Sequence, residues 1–457
     1  MLPPNTQCIH VPYPANSQEY AQLFADWQGF IWLDSGIRRE YCSQFDLITA
    51  RPEQALCAHT PDQVQLFHND QCQSLTRHAA ADWCEHWIKP SLDDACADLP
   101  FNGGLIGYIG YEWMHSTFKL PVNNIYKTPL LYLGVYEWAL IIDHIKKSAF
   151  FVFTAQLPEI KRADILKQFN SPPKAIGFFN CSAFKPTTNK VHYLNDVQTI
   201  LDYIYAGDCY QVNYSQAFTA DFSGDAFAAY CRLRAGCPGP FSAFIKTDVG
   251  AILSLSPEQF IEIDNRQATS RPIKGTAARS NDPYMDTDAA EQLRQSNKNR
   301  AENLMIVDLI RNDFSKNCEP GSVKVGELFG LYSFTNVHHL ISQINAVLKS
   351  HVSHWQFVMD AFPGGSITGA PKKRAMEIID ELEPHQRHIY CGSIGFFSRN
   401  GQTRTNIAIR TLLIENRQIT LWGGGGIVAD SIAEDEYRES LDKIDVFKSI
   451  LFGASRQ

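Results

Sequence analysis

The sequence predicts a large fold of mixed helices and antiparallel strands, and three observations carry that prediction. Apolar residues alternate over 391–398, 405–413 and 419–422 in the manner of antiparallel strands separated by turns. Tyr193, Val197, Ile200, Leu201 and Ile204 fall at helical spacing, with Gly207 where a C-terminal cap belongs. Of the 457 residues, 44% are hydrophobic and 12% aromatic, ample for a large packed core.

Taken in order, residues 1–155 read as short strands and helices, with a strand over 30–33 entering Asp34-Ser35-Gly36. The run Gly103-Gly104-Leu105-Ile106-Gly107-Tyr108-Ile109-Gly110 has glycines near dinucleotide-binding spacing, but no helix pattern opens inside it. Close strand packing accounts for those glycines instead. Residues 131–143 are another strand-rich run, and 156–190 turn polar and rich in Pro, Lys and Asn, which reads as a linker. The C-terminal part, 191–457, begins with the helix above and a strand over 209–218 carrying Gln211. Strand residues follow over 251–263, then Arg271-Pro272-Ile273-Lys274-Gly275-Thr276, whose proline and glycine predict a tight turn. Helices are expected over 300–313, 372–383 and 434–452, and the glycine run 423–426 is expected to be a loop.

Composition excludes several classes. The 41 basic against 49 acidic residues give a net charge of -8, so neither nucleic acid nor an anionic membrane is the expected partner. No apolar run approaches a membrane span and the start lacks a signal-peptide pattern, so the expected compartment is the cytoplasm. The 12 cysteines form no Cys-x-x-Cys pair, which favours reduced thiols over zinc or a redox dithiol.

Three clusters carry chemistry. Lys274 and Glu258 offer a potential nucleophile and a potential acid. Glu436, Glu439 and Lys443 share one face of the closing helix. Those carboxylates are either solvated or, with Glu302, an oxygen site for Mg²⁺. The glycine run is either a flexible turn or an anion-binding concavity, with Arg410 nearby as a carboxylate partner.

Four stretches in this order resemble the chorismate-utilising enzymes: Pro272-Ile273-Lys274-Gly275-Thr276, Arg300-Ala301-Glu302-Asn303-Leu304-Met305-Ile306-Val307-Asp308-Leu309, Gly365-Ser366-Ile367-Thr368-Gly369-Ala370-Pro371-Lys372 and Gly424-Gly425-Gly426-Ile427-Val428-Ala429-Asp430-Ser431. The resemblance is strong over 190–450 and weaker before it. It implies one α+β body of two large antiparallel sheets packed together, with helices outside. It also implies that chorismate binds on Mg²⁺, with Glu302 and Glu439 as ligands and Glu436 in the outer shell. Arg410, Tyr390, Lys443, Ser366 and the amides of Gly424, Gly425 and Gly426 would hold the substrate carboxylates, with His339 beside the ring. Asn299 stands where relatives often carry an acidic residue, which removes one further carboxylate from the metal.

The same resemblance separates family members. Similar anthranilate synthases carry alanine at the position of Lys274, and similar isochorismate synthases carry a lysine base at that of Gln211. Lys274 with Gln211 therefore implies amination at C4, giving 4-amino-4-deoxychorismate, with Glu258 as proton donor and Lys274 as a covalent nucleophile made neutral by burial and Arg271. The chain has no Gly-x-Cys-x-Gly elbow and none of its 14 histidines begins His-x-Glu. A separate glutamine amidotransferase subunit is thus the implied ammonia source. A tryptophan pocket is implied at Ser35, Ser43, Pro240, Phe241 and Ser242. The rival readings are amination at C2, as in anthranilate synthase, and a non-catalytic tryptophan-sensing subunit.

Overall fold

In the computed structural model, residues 6–36, 44–69, 71–89, 96, 98–280, 282–334 and 337–454 are described. Their strands form two antiparallel sheets, of 13 and 12 strands among the described residues. Each sheet draws strands from both ends of the chain. The first runs from Gln7–Val11 through Ser148–Phe153, Trp138–Asp143, Phe45–Thr49 and Ile31–Asp34. It continues through Phe241–Thr247, Gly250–Ser256, Thr411–Glu415 and Gln418–Ile427 to Gln211–Gly224. The second places Ile273–Ala278, Val337–Val347, Gln267–Arg271, Gln259–Asp264, Gln402–Asn406 and Ser393–Ser398 beside Gly104–Ile109 and Leu131–Tyr136. This is the expected α+β architecture of two large packed sheets.

Side-chain alternation explains the layering. Ile31 and Ile141 belong to one buried cluster, whereas their neighbours Trp32, Leu140 and Ile142 belong to a second. The first cluster mixes residues of both sheets and is the layer between them. The second lies beneath the helices Gln18–Phe24, Glu159–Phe169, Ala226–Gly236 and Ala433–Ala454 on the other face of the 13-stranded sheet. Strands covered on both faces need no polar side, so Trp138–Asp143 is buried at every position.

Several elements differ from the reading of the sequence. The stretch 156–190 holds the helix Glu159–Phe169 and the short strands Phe179–Cys181 and Lys185–Pro186, both paired with Gln211–Gly224. Residues 251–263 are two strands in different sheets, because Pro257 has no N–H for a ladder. Lys274 is not in a tight turn. It lies on Ile273–Ala278, whose pairing with Val337–Val347 is irregular between Ile273 and Thr276, where Gly275 takes φ +91. The glycine run is not a loop either: Gly423, Gly424, Gly425 and Gly426 pair with Gln216, Ser215, Tyr214 and Asn213. Among the described residues, no helix is long and apolar enough to cross a membrane.

Candidate active site

Two of the expected site residues stand where the chain passes from one sheet to the other. Glu258 falls between Gly250–Ser256 of the first sheet and Gln259–Asp264 of the second, and Arg410 between Gln402–Asn406 of the second and Thr411–Glu415 of the first. At such a crossover a residue leaves the ladder, so its side chain is free to point into the space between sheets. The corner is fixed by backbone: Ile407 N–H donates to the Glu258 carbonyl at 3.0 Å, and Ser256 Oγ donates to the Ile407 carbonyl at 2.6 Å.

Glu258 is 6% exposed and accepts a hydrogen bond from Ser366 Oγ at 2.8 Å. Burial pushes its carboxyl up to about 7, against the opposing pull of Ser366, Lys274 and Lys443. Lys274 is half-buried beside it, and that loss of solvent lowers its ammonium, helped by Lys443 and opposed by Glu258, Glu302 and Glu439. A carboxyl whose proton burial holds more tightly thus stands beside an amine whose proton burial loosens. The cation that acts on Lys274 is Lys443, not Arg271. Arg271 instead donates to Gln259 Oε1 at 2.7 Å and Glu262 Oε2 at 2.9 Å, which neutralises it.

The closing helix supplies the opposite wall. Lys443 Nζ lies 2.7 Å from Glu439 Oε1 and donates to the Gly424 carbonyl at 2.9 Å, while Ser431 Oγ donates to Glu436 Oε1 at 2.6 Å. A methyl group added at Gly425 would sit 3.3 Å from Glu436 Oε2, 3.7 Å from Glu439 Oε1 and 3.6 Å from Lys443 Nζ. Two carboxylate oxygens and a cation therefore converge over a bare stretch of backbone. Strand Thr411–Glu415 pairs with Gln418–Ile427 only as far as Leu421, so among the described residues no strand covers that edge of Gly423–Gly426. The strand keeps the access to backbone that a loop was expected to provide.

His339 pairs in register with Thr276, and its Nδ1 lies 2.9 Å from Thr276 Oγ1. Burial and the Arg410 charge bring the imidazole down to about 4, so it is neutral at ordinary pH. Arg410 is half-buried, which lowers its guanidinium, and it makes no side-chain hydrogen bond or ion pair among the described residues. Tyr390 stacks on Trp422 with centroids 6.0 Å apart and planes 5° apart. It is thus tied to the glycine strand through Trp422. Asn299 packs against Gly275 and donates to Ser296 Oγ at 3.0 Å, adding no carboxylate, as expected.

One contributor was missed. Lys298 adds positive charge to both Glu436 and Glu439 from helix Asn297–Ser315. Its place one turn before Glu302, four residues apart on the same face, was the available signal.

The expected tryptophan residues are split. Ser35 and Ser242 flank the paired Asp34, buried and already engaged: Ser35 Oγ with Asp46 Oδ1 at 2.5 Å, Ser242 Oγ with the Gly239 carbonyl at 2.8 Å. Pro240 and Phe241 border a cavity of about 20 Å³ with Arg271 and Phe334. Ser43 lies outside the described residues. Beside Ser35, Arg234 donates to Asp34 Oδ2 at 2.5 Å and Oδ1 at 3.0 Å, and both side chains are at most 1% exposed. Arg234→Ala would leave that carboxylate buried without its charge partner. The expected result is a loss of about 4 kcal/mol of stability in urea titration.

Comparison with known proteins places this geometry. The family model for the chorismate binding enzyme matches residues 30–449. Aminodeoxychorismate synthase component 1 of Escherichia coli is 42% identical over 421 residues, 90% of this chain and 91% of that protein. Its counterpart in Klebsiella aerogenes is 40% identical over 439 residues, 94% of each. The crystal structure of anthranilate synthase component I from Streptococcus pneumoniae superposes with a TM-score of 0.79 at 28% identity, covering 90% of this chain and 94% of that one. With the match spanning both sheets and every site element, the chain belongs to the chorismate-binding enzymes.

Proposed function

We propose that this chain aminates chorismate at C4, forming 4-amino-4-deoxychorismate through a covalent intermediate on Lys274. The observation that carries the reading is the pairing of Lys274, whose ammonium burial lowers, with Glu258, whose carboxyl burial raises to about 7. The 40% and 42% identical relatives named aminodeoxychorismate synthase component 1 support it.

The chemistry follows from the groups present. The neutral amine of Lys274 attacks C2, the ring diene shifts, and the C4–O bond breaks as Glu258 gives its proton to the departing hydroxyl, releasing water. Ammonia then bonds to C4, the diene shifts back, and the C2–N bond to lysine breaks. Protons left on the nitrogens return to Glu258 and solvent. The net change replaces a hydroxyl by an amine. His339, neutral with Nδ1 at Thr276, offers the ring a polar but uncharged neighbour.

Arg410 is the group best suited to a substrate carboxylate, since its fork binds such groups bidentately and no side chain among the described residues pairs with it. Ser366 serves first by holding Glu258, and reaches substrate only from that position. Arg410→Gln is expected to raise KM for chorismate about 30-fold or more, the size of a lost charge-assisted pair. The same substitution should raise the melting temperature, because it removes a half-buried cation that has no ion pair among the described residues. A variant with unchanged KM would show that the carboxylate lies elsewhere.

Mg²⁺ fits the residues. Oxygens of Glu436 and Glu439 converge over Gly425, and Glu302 acts on Lys274 together with Glu439. One or two carboxylates completed by substrate oxygens and water is the habit of this ion. When bound, it would neutralise charge on the ring carboxylate. Lys443, now on Glu439, would then be released toward substrate.

A separate glutaminase subunit would supply ammonia, a reading supported by the designation "component 1" of the relatives and by the missing glutaminase motifs. Tryptophan binding near Ser35 and Ser242 belongs to the proposal as well, with Pro240 and Phe241 at its border. The deciding experiment supplies chorismate, Mg²⁺ and ammonium chloride to the purified chain and identifies the product. A C4 amine retaining the enolpyruvyl group is expected. Anthranilate with released pyruvate would assign the chain to C2 amination, and no turnover would assign it to a sensing role.

A further inference from the structure

Away from the site described above, a groove of about 730 Å³ opens at one end of the 13-stranded sheet, on the face that carries the helices. Small residues leave the space unfilled. Ala251 and Ile414 stand opposite one another on neighbouring strands, and Gly224, Ala226 and Gly250 border them. A methyl at Gly250 would lie 1.7 Å from the Ile414 carbonyl oxygen, and one at Gly224 would lie 2.2 Å from the Phe178 carbonyl oxygen. Neither position can take a side chain that closes the groove. The floor is aromatic: Phe222, Phe227 and Phe244 are at most 6% exposed, and Phe227 meets Phe244 edge to face with centroids 5.4 Å apart. Volume and apolar floor together match a small-molecule site.

Three cations and three carboxylates line the groove, and they are not matched one to one. Lys174 is paired with Asp26. The Asp225 carboxylate accepts from the Phe227 N–H at 2.8 Å and the Gly177 N–H at 3.0 Å. Glu415 accepts from the N–H groups of Lys127 and Thr128 and from Thr128 Oγ1 at 2.7 Å. Lys246 donates only to the Asp26 carbonyl at 2.6 Å, and neither Lys246 nor Arg417 has an ion pair among the described residues. Lys246 is half-buried and Arg417 exposed, so both cations are open to a ligand arriving from water. Lys246 pairs with Ala251 and Ala251 with Ile414, while Arg417 sits in the turn between Glu415 and Gln418 that follows. Two strand spacings therefore set the two cations roughly 10 Å apart at the backbone, on either side of the floor.

We propose that this groove binds an elongated aromatic dicarboxylate, its rings on the phenylalanine floor and one carboxylate at each of Lys246 and Arg417. A neutral ring would leave both cations unanswered. A zwitterionic amino acid would bring an ammonium group to a lining whose carboxylates are already engaged. The groove is distinct from the candidate active site: Ala251 and Glu258 lie toward opposite ends of strand Gly250–Ser256, roughly 20 Å apart at the rise of a strand. The assignment does not rest on the amination reading.

The test titrates the purified full chain with naphthalene-2,6-dicarboxylate by calorimetry, with naphthalene-2-carboxylate and inorganic phosphate as comparisons. Binding of the dicarboxylate is expected in the wild type and, undiminished, in Arg410→Gln, which alters the candidate active site alone. Lys246→Gln is expected to weaken it about ten-fold, the effect of one lost charge-assisted bond. Arg417→Gln is expected to weaken it about three-fold, because its cation is exposed and screened by water. Both groove variants should keep the wild-type KM for chorismate. If Arg410→Gln abolishes binding, the probe sits in the active site and the proposal fails. If the monocarboxylate binds as tightly, the second cation is not used, and if phosphate displaces the probe at equal concentration, the groove reads charge without the ring; either result overturns the assignment. Affinity that survives both groove substitutions places the ligand elsewhere, and absence of binding at millimolar probe leaves the groove to water.

Discussion

Lys274→Ala is expected to lower amination of chorismate at C4 by at least about a thousandfold, because the nucleophile proposed to open the C4–O bond is gone. Intact-mass measurement gives the more direct result. The wild-type chain, mixed with chorismate and Mg²⁺ without ammonia, should gain the mass of dehydrated chorismate, and the alanine variant should gain nothing. The cause is local: burial lowers the Lys274 ammonium, and Lys443 on the facing helix acts in the same sense. An unmodified wild type that nonetheless makes anthranilate with ammonium would remove the covalent step from the mechanism. Loss of activity with the adduct still forming on the variant would mean that another residue carries it.

Glu258→Gln has the second largest expected effect, a fall in rate of about a hundredfold or more, since an amide cannot give a proton to the departing hydroxyl. The wild-type rate should decline as pH rises through about 7, where the raised carboxyl loses its proton, and the glutamine variant should lack that limb. Stability moves with its own sign. The folded-state value of about 7 lies above the ordinary 4.5, so the folded chain holds this proton more tightly than the unfolded chain. The resulting stabilisation is complete below about 4.5 and is lost as pH rises through about 7. Glutamine needs no proton to be neutral, so above that pH the variant should be more stable than wild type, by about 3 kcal/mol at most from this shift. Urea titrations at pH 5 and pH 8.5 read this difference, and equal midpoints for the two proteins at both pH values would show that Glu258 is not desolvated.

The second effect traces to where the chain turns from sheet to sheet. Glu258 and Arg410 occupy two such crossovers, the first buried and the second half-buried, and neither has an ion pair among the described residues. That costs folding energy and leaves a proton donor and a cation available to a ligand. Asp34 with Arg234 shows the contrast: both buried, but with every strong interaction closed within the protein. The same residue types thus serve structure in one place and chemistry in the other.

Much of the fold was legible because local pattern and burial agree. Helix Lys190–Ala206 ends at Gly207 with φ +86, as the apolar spacing and the glycine required. The glycines of 103–110 lie on strand Gly104–Ile109, where a methyl at Gly107 would be 1.9 Å from the Tyr132 carbonyl oxygen. Close strand packing, not nucleotide binding, explains them. The run 423–426 misled for the same reason that it matters. Glycine has low strand propensity, so a loop was the local expectation, yet pairing with Gln216 through Asn213 holds all four in a ladder. Tertiary pairing overrode propensity, and the missing side chains leave room over Gly425 for the carboxylates of the closing helix.

The sequence by itself determined the family, the alternating strands and capped helices, and the residue types able to act as acid, nucleophile, cation and carboxylate. Those depend on covalent chemistry and on neighbours within a few positions. Only the tertiary structure decided that Lys443 rather than Arg271 acts on Lys274, that Arg410 has no ion pair among the described residues, and that Ser366 holds Glu258. Electrostatic environment is set by groups that are far apart in the chain and brought within a few ångströms by packing, and by the water that packing removes.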